Sequence, residues 1–212
     1  MTDNRKAGLA LILGGLGIIV TMAIHPAAGG MLTQAQVVQL ARMSAITHSL
    51  GIASAVVLFL GACGLTRHMA SDDHVAFTAL IVFGLSIVSV SIAAAVSGFI
   101  IPNLIRQMAH DISNTPLWQI QINSMFQVNQ AFAAIFSVAA LLAIGLWSTG
   151  MLRRGGFSRT LAIYGCVVAP LLAVPVLSGI LPLNVHGMGI VALGMAIWFV
   201  GAGGGLMQQK AA

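Results

Sequence analysis

From Ser44 to Thr66 the chain runs twenty-three residues without an acid, a lysine or an arginine. At about 1.5 Å per helical residue this is roughly 35 Å, enough to cross a hydrocarbon core about 30 Å thick. The pattern returns throughout the chain. Apolar runs at 7–24, 44–66, 75–101, 124–151, 160–181 and 185–207 are separated by shorter polar stretches, and nothing is left over for a soluble domain. The chain is 58% hydrophobic and 6% charged, against about a quarter charged residues in a soluble domain. Water could not solvate such a surface, so the solvent is a lipid bilayer. The expected fold is therefore an all-α integral membrane protein: six transmembrane helices, arranged as three antiparallel hairpins, in one bundle spanning residues 1–212.

Local signals refine this. The first run follows Arg5-Lys6 and has eighteen residues, longer than the apolar core of about 7–15 residues in a cleaved signal peptide. It reads as a retained span, and Ala10-x-x-x-Gly14 within it permits close helix contact. Thr33-Gln34-Ala35-Gln36 has the spacing of a helix start ahead of the second span. Ser86, Ser89 and Ser97 fall roughly on one face of the third span, positioned to bond across helices. Asn103 to Ile122 is the longest connection, with Trp118 suited to a membrane interface. Pro170 and Pro175 predict a kinked fifth span. Cys63 and Cys166 read as reduced, packed thiols.

The net charge of +5 does not point to nucleic acid, because the basic residues form no stripe. They act as topology signals. Arg5, Lys6, Arg67, Arg153, Arg154, Arg159 and Lys210 fall on one side, against Arg42 and Arg106 on the other. The positive-inside rule then makes both termini cytoplasmic, in a multi-pass protein of the cell inner membrane.

A weak internal repeat follows the helix ends. The odd spans end at Pro26, Pro102 and Pro182, and each is expected to turn back there as an even span. His48-Ser49-Leu50-Gly51-Ile52 recurs as His186-Gly187-Met188-Gly189-Ile190. Counting residues up from the charged ends puts His25, His48, His186 and Gln130 in one layer near the outer edge of the bilayer, with Met22 and Met188 beside it and His110 in the connection above. A lone histidine at this depth is more often an interfacial residue than a ligand, since polar groups are tolerated there. The shared layer argues for more.

Two sites use this layer. In the first, His48 and His186 clamp a b-type haem, with Gly51 and Gly189 one turn along leaving flat room for the macrocycle. In the second, His25, His48 and His186 hold zinc or copper, and thioethers from Met22 or Met188 tilt the choice to copper(I). Gln130 stands as a supporting ligand. Either site suggests electron transfer with a membrane or periplasmic redox partner. No catalytic residue is identified. The spans contain no acid, which removes carboxylate relays and a Ser/His/Asp arrangement. A structural membrane protein without cofactor and a carrier of a small solute remain the alternatives. His68 and His74 read as a solvated loop face, and Gly201 to Gly205 as close packing or a frayed end.

Overall fold

The computed structural model describes residues 3–26, 34–69 and 74–209. Among them are seven α-helices: α1 (Asp3–Ala23), α2 (Gln34–Met69), α3 (His74–Ala95), α4 (Ile101–His110), α5 (Thr115–Arg154), α6 (Arg159–Leu177) and α7 (Val185–Gln208). A π-helical turn, Val96–Ile100, joins α3 to α4. The joined helix counts as one, so six helices are long and apolar enough to cross a membrane. The described residues contain no strand. The expectations placed on Thr33 and Lys210 lie outside the described residues.

The outward helix faces differ from those of a protein in water. Leu13, Leu16 and Val20 on α1, Phe77, Ile81, Leu85 and Val88 on α3, and Val167, Leu171 and Val174 on α6 all point outward. Ser86, Ser89, Ser137 and Ser148 are buried. Continuous exposed apolar faces of this extent exceed what soluble monomers carry, and they fit a multi-pass membrane protein. Ser86, Ser89 and Ser137 donate their hydroxyls within their own helices, whereas Ser148 on α5 accepts from Trp198 Nε1 of α7 at 2.8 Å. Ser86 donates to the Phe83 carbonyl at 2.7 Å and Ser89 to that of Leu85 at 2.9 Å. The expected bonds across helices are not made by the Ser86 and Ser89 hydroxyls, because a carbonyl three or four residues back is nearer than any neighbouring helix.

Both ends of the described chain lie at one end of the bundle: Asn4 of α1 meets His68 of α2 at 3.4 Å, and Gly8 packs on Gly203 and Met207 of α7. From this end the helices differ in reach. Helices α1, α6 and α7 have 21, 19 and 24 residues. Helix α2 has 36, α5 has 40, and the joined α3–α4 has 37. At 1.5 Å per residue the long helices project roughly 20 Å past the short ones at the far end.

This corrects the reading of 103–122 as a long connection. Helix α4 continues to His110, and α5 begins at Thr115, leaving a tight turn between them. Asp111 organises that turn by accepting from Asn114 Nδ2, Ser113 Oγ and Trp118 Nε1. These donors, Asn114 foremost, hold its carboxyl below the ordinary value. Trp118 is thus tied into the turn.

The proline repeat also resolves into separate cases. Pro26 and Pro182 lie beyond their helix ends, but at Pro102 the chain does not turn back. Pro102 stands in the first turn of α4. It lacks an N–H, and its ring crowds the carbonyl four residues earlier, at Gly98. The π-helical turn absorbs this mismatch within a continuous helix. In the fifth span, Pro170 and Pro175 lie inside α6, which stops at Leu177 rather than 181; Gly179 just beyond it takes φ +72°.

Packing follows the small residues. A Cβ on Gly14 would stand 2.8 Å from Leu58 Cα, and one on Gly61 would stand 2.7 Å from Leu11 N, so the α1 and α2 backbones nearly touch. A Cβ on Gly8 would meet the Gly203 carbonyl oxygen at 2.5 Å, which draws α7 onto α1. Gly203 therefore serves close packing. The first hairpin, α1 with α2, and the second, α3–α4 with α5, pack closely along their lengths. The third does not: α6 lies mainly on α5, and α7 on α1. Side chains, not backbone, bridge α6 to α7, among them Tyr164, whose hydroxyl donates to the Gly194 carbonyl at 2.9 Å. The terminal end of the core is filled by Trp147, Trp198, Phe83 and Phe199. Cys63 and Cys166 are free and half-buried.

Candidate functional site

A cavity of about 310 Å³ opens inside the bundle, between α1, α2, α3, α5 and α7. This volume falls at the lower end of the range for small-molecule sites, roughly 300–1,000 Å³. Its body is apolar. Leu58, Phe83, Ile87, Phe136, Met195 and Phe199 are among its walls, and the small side chains Ala133, Ala140 and Ala192 leave the space. Its polar groups come from Thr21 of α1, His25 just beyond it, His48 of α2, Ser97 of the π-helical turn, Asn129 and Gln130 of α5, and Asn184 ahead of α7. These lie in the half of the bundle remote from the termini, level with the far ends of α1 and α7. Helix α6, with its two prolines, contributes nothing to the lining.

His48 is buried, and its position is set by three elements. Its Nδ1 lies 2.7 Å from the Ser44 carbonyl and 3.3 Å from Ser44 Oγ. The Ser44 hydroxyl in turn donates to the Ser97 carbonyl of the π-helical turn at 3.0 Å. On the same turn, a Cβ on Gly98 would fall 2.6 Å from His48 Cβ. Only a glycine lets the turn press against the histidine, so the mismatch caused by Pro102 sits where it can hold the site.

His25 is brought beside His48 by the end of α1. Thr47, buried next to His48, donates to the Ile24 carbonyl at 3.4 Å and fixes that end. The two imidazoles meet edge to face, with centroids 5.1 Å apart and planes at 73°. His25 Nδ1 lies 3.2 Å from the Pro26 carbonyl. A carbonyl oxygen has no proton to give, so these contacts assign the hydrogen to each Nδ1 and leave the Nε2 of a neutral ring with its lone pair. A backbone carbonyl on one ring nitrogen is the usual way proteins set the other as an acceptor or ligand.

Of the residues singled out from the sequence, His25, His48, Gly51, Gln130, Met22 and Met188 line this one cavity. His186 does not. It is exposed in the first turn of α7 and is absent from the lining, as is Gly189. A Cβ on Gly189 would meet nothing within 4 Å. The recurrence of the histidine motif therefore does not reflect a shared site: α2 has turned His48 inward, whereas His186 faces out beside the Asn184 cap. Gly51 does make room, but for Thr21, whose Cγ2 would lie 3.2 Å from an added Cβ. His110 ends α4, twelve residues beyond Gly98 and so roughly 18 Å along the helix.

The expected cofactors can be weighed against this geometry. Two imidazoles sharing one iron would hold their coordinating nitrogens about 4 Å apart, pointing at one another along one line, which sets the ring centroids roughly 6 Å apart. The pair at 5.1 Å, edge to face, does not fit a haem clamped between them, and His186 is not placed to complete one. The three-imidazole set for zinc or copper is likewise not assembled, and no group of three His, Cys, Asp or Glu side chains converges among the described residues.

Sequence reasoning missed Ser44, Thr47, Thr21 and Gly98. Ser44 and Thr47 stood one turn and one residue before His48, at positions a helix brings to a histidine or to its neighbour. Gly98 carried a signal as well, a glycine four residues before a proline inside an apolar run. No protein-family model, curated protein or solved structure matches the chain.

Proposed function

We propose that this membrane protein binds a small lipophilic molecule, holding its apolar body inside the bundle and its polar head against His25 and His48. The observation that carries this reading is the cavity's polarity: a mostly apolar lining with two imidazoles paired among its polar groups. Large apolar pockets with a few convergent polar groups are the usual form of small-molecule sites. A ligand drawn from the bilayer is already desolvated, which suits an apolar body with so little to hydrogen-bond. The loop before α7 covers part of this space and is fastened to α5 by Gln130 Nε2, which donates to the Leu183 carbonyl at 3.3 Å.

Native mass spectrometry of the protein released from detergent tests this. The expected spectrum shows a population carrying one organic molecule per chain, and the mass identifies it. An absorption spectrum with a Soret band would identify that molecule as haem held by a single imidazole. Chains that never carry more than detergent, even after incubation with extracted membrane lipids, would contradict the reading.

A second reading rests on Met22 and Met188, which line the same cavity as the histidine pair. Two free Nε2 atoms with thioethers form a soft donor set suited to copper(I). Elemental analysis after copper(I) loading separates the two: one copper per chain, lost in His48→Ala, favours the metal.

The charge distribution supports an orientation with the terminal end in the cytoplasm, where Arg5, Lys6, Arg67, Arg153, Arg154 and Arg159 lie. The histidine pair then faces the outer leaflet of the inner membrane. In a background lacking Cys63 and Cys166, an impermeant thiol reagent added outside intact cells should label Ile112→Cys in the α4–α5 turn and spare His74→Cys at the start of α3. The opposite pattern would place the cavity on the cytoplasmic side.

A further inference from the structure

We infer that the ligand is a neutral lipid-soluble molecule whose head presents hydroxyl donors, of the hydroquinone type, and that His25 and His48 accept its hydrogen bonds through Nε2. The inference rests on the cavity being a ligand site and adds the chemistry of the ligand.

It follows from which hydrogens are already committed. Both Nδ1 atoms face backbone carbonyls, at 2.7 Å for His48 and 3.2 Å for His25, which leaves both Nε2 atoms as acceptors. The Thr21 hydroxyl donates to the Gly17 carbonyl at 2.8 Å, so what it offers the cavity is a lone pair. Gln130 spends an amide N–H on Leu183. Asn129 and Asn184 bring amide donors, and Asn184 stands exposed at the rim with its oxygen accepting from Gly187 N. Ser97, Asn129 and the second Gln130 N–H can still donate, but the imidazole pair itself presents two acceptors that call for hydrogens from the ligand. A cation could supply them, but among the described residues no acid lines the cavity to balance it, and an unpaired charge is strongly disfavoured in an apolar site. An uncharged hydroxyl meets the requirement. A ligand carrying only carbonyl oxygens would set lone pair against lone pair and leave both Nε2 atoms unpaired.

The same head chemistry occurs on a hydroquinone and on an aliphatic lipid alcohol such as a diacylglycerol. Competition binding in nanodiscs distinguishes them, using a short-chain benzoquinol, its oxidised quinone, its dimethyl ether and a short-chain diacylglycerol. The quinol should bind roughly tenfold or more tightly than both the quinone and the dimethyl ether, the loss expected when a buried acceptor goes unpaired. His48→Ala should remove most of that preference, and His186→Ala should leave it intact. Tighter binding of the diacylglycerol than of the quinol would keep the hydroxyl head and overturn the hydroquinone assignment. Equal or tighter binding of the quinone would overturn the donor requirement. Ala133→Phe separates this failure from failure of the cavity reading. If that variant blocks a quinone that binds as well as the quinol, the cavity holds the ligand and only the head chemistry is wrong. If no probe binds the wild type, the cavity reading itself falls.

Discussion

Ala133→Phe should abolish ligand retention while leaving the bundle folded. Ala133 is buried on α5 and borders the cavity one turn below Gln130 and Asn129. A phenyl ring entering there occupies space meant for the apolar body of the ligand. Displacing roughly 100 Å² of ligand contact at about 25 cal/mol per Å² removes about 2.5 kcal/mol, close to seventyfold in affinity. The ring meets empty volume rather than packed atoms, so the thermal midpoint without ligand should hold or rise. Native mass spectrometry checks the first part and thermal unfolding in detergent the second. Retention of the same adduct at wild-type occupancy would mean that the ligand sits elsewhere.

Gly14→Leu should act on the fold and not on the site. The α1 and α2 backbones approach so closely at Gly14 that an added Cβ would fall 2.8 Å from the Leu58 N, Cα and Cβ atoms alike. A backbone cannot swing aside as a side chain can, so the helices must separate. Overpacking of this kind costs roughly 1–3 kcal/mol, and a backbone clash belongs at the upper end. Gly204→Leu on α7 is the matched comparison, because a Cβ there meets nothing within 4 Å. The first variant should lower the thermal midpoint by several degrees and the second should leave it near wild type. Similar midpoints would mean that α1 is not held by this contact.

The fold was legible because its cause is coarse. Six uncharged runs of spanning length can hardly be anything but membrane-crossing helices, and the core starts and ends of most survive in the structure. What went unread depended on where a helix stops once it leaves the apolar zone. Residues 103–122 lose hydropathy but keep helical composition, and Pro102, usually a stop signal, is accommodated by a π-helical turn instead. The opened third hairpin was also beyond the sequence, since it depends on which glycines meet which backbones.

The site was half legible. Counting residues from the charged ends placed His25, His48 and Gln130 at one height, and they do share a cavity. Height, however, says nothing about rotation. His186 opens α7 at a similar level and is exposed, so the repeated motif suggested a pairing the helix faces do not make. The true neighbour of His48 is His25, which carries no motif and arrives through the Thr47 bond to the end of α1. The tautomers were equally out of reach, because they depend on backbone carbonyls that only the fold supplies.

Nitrogen-15 NMR of histidine-labelled protein in nanodiscs tests most directly whether the His25–His48 pair is the ligand site. Without ligand, both residues should show the Nδ1–H tautomer with an unprotonated Nε2. On addition of a short-chain quinol, the Nε2 resonances of His25 and His48 should move together, while those of His68, His74, His110 and His186 stay in place. A bound ligand that leaves the His25 and His48 resonances unchanged, or a free protein in which these rings carry their hydrogen on Nε2, would contradict the account.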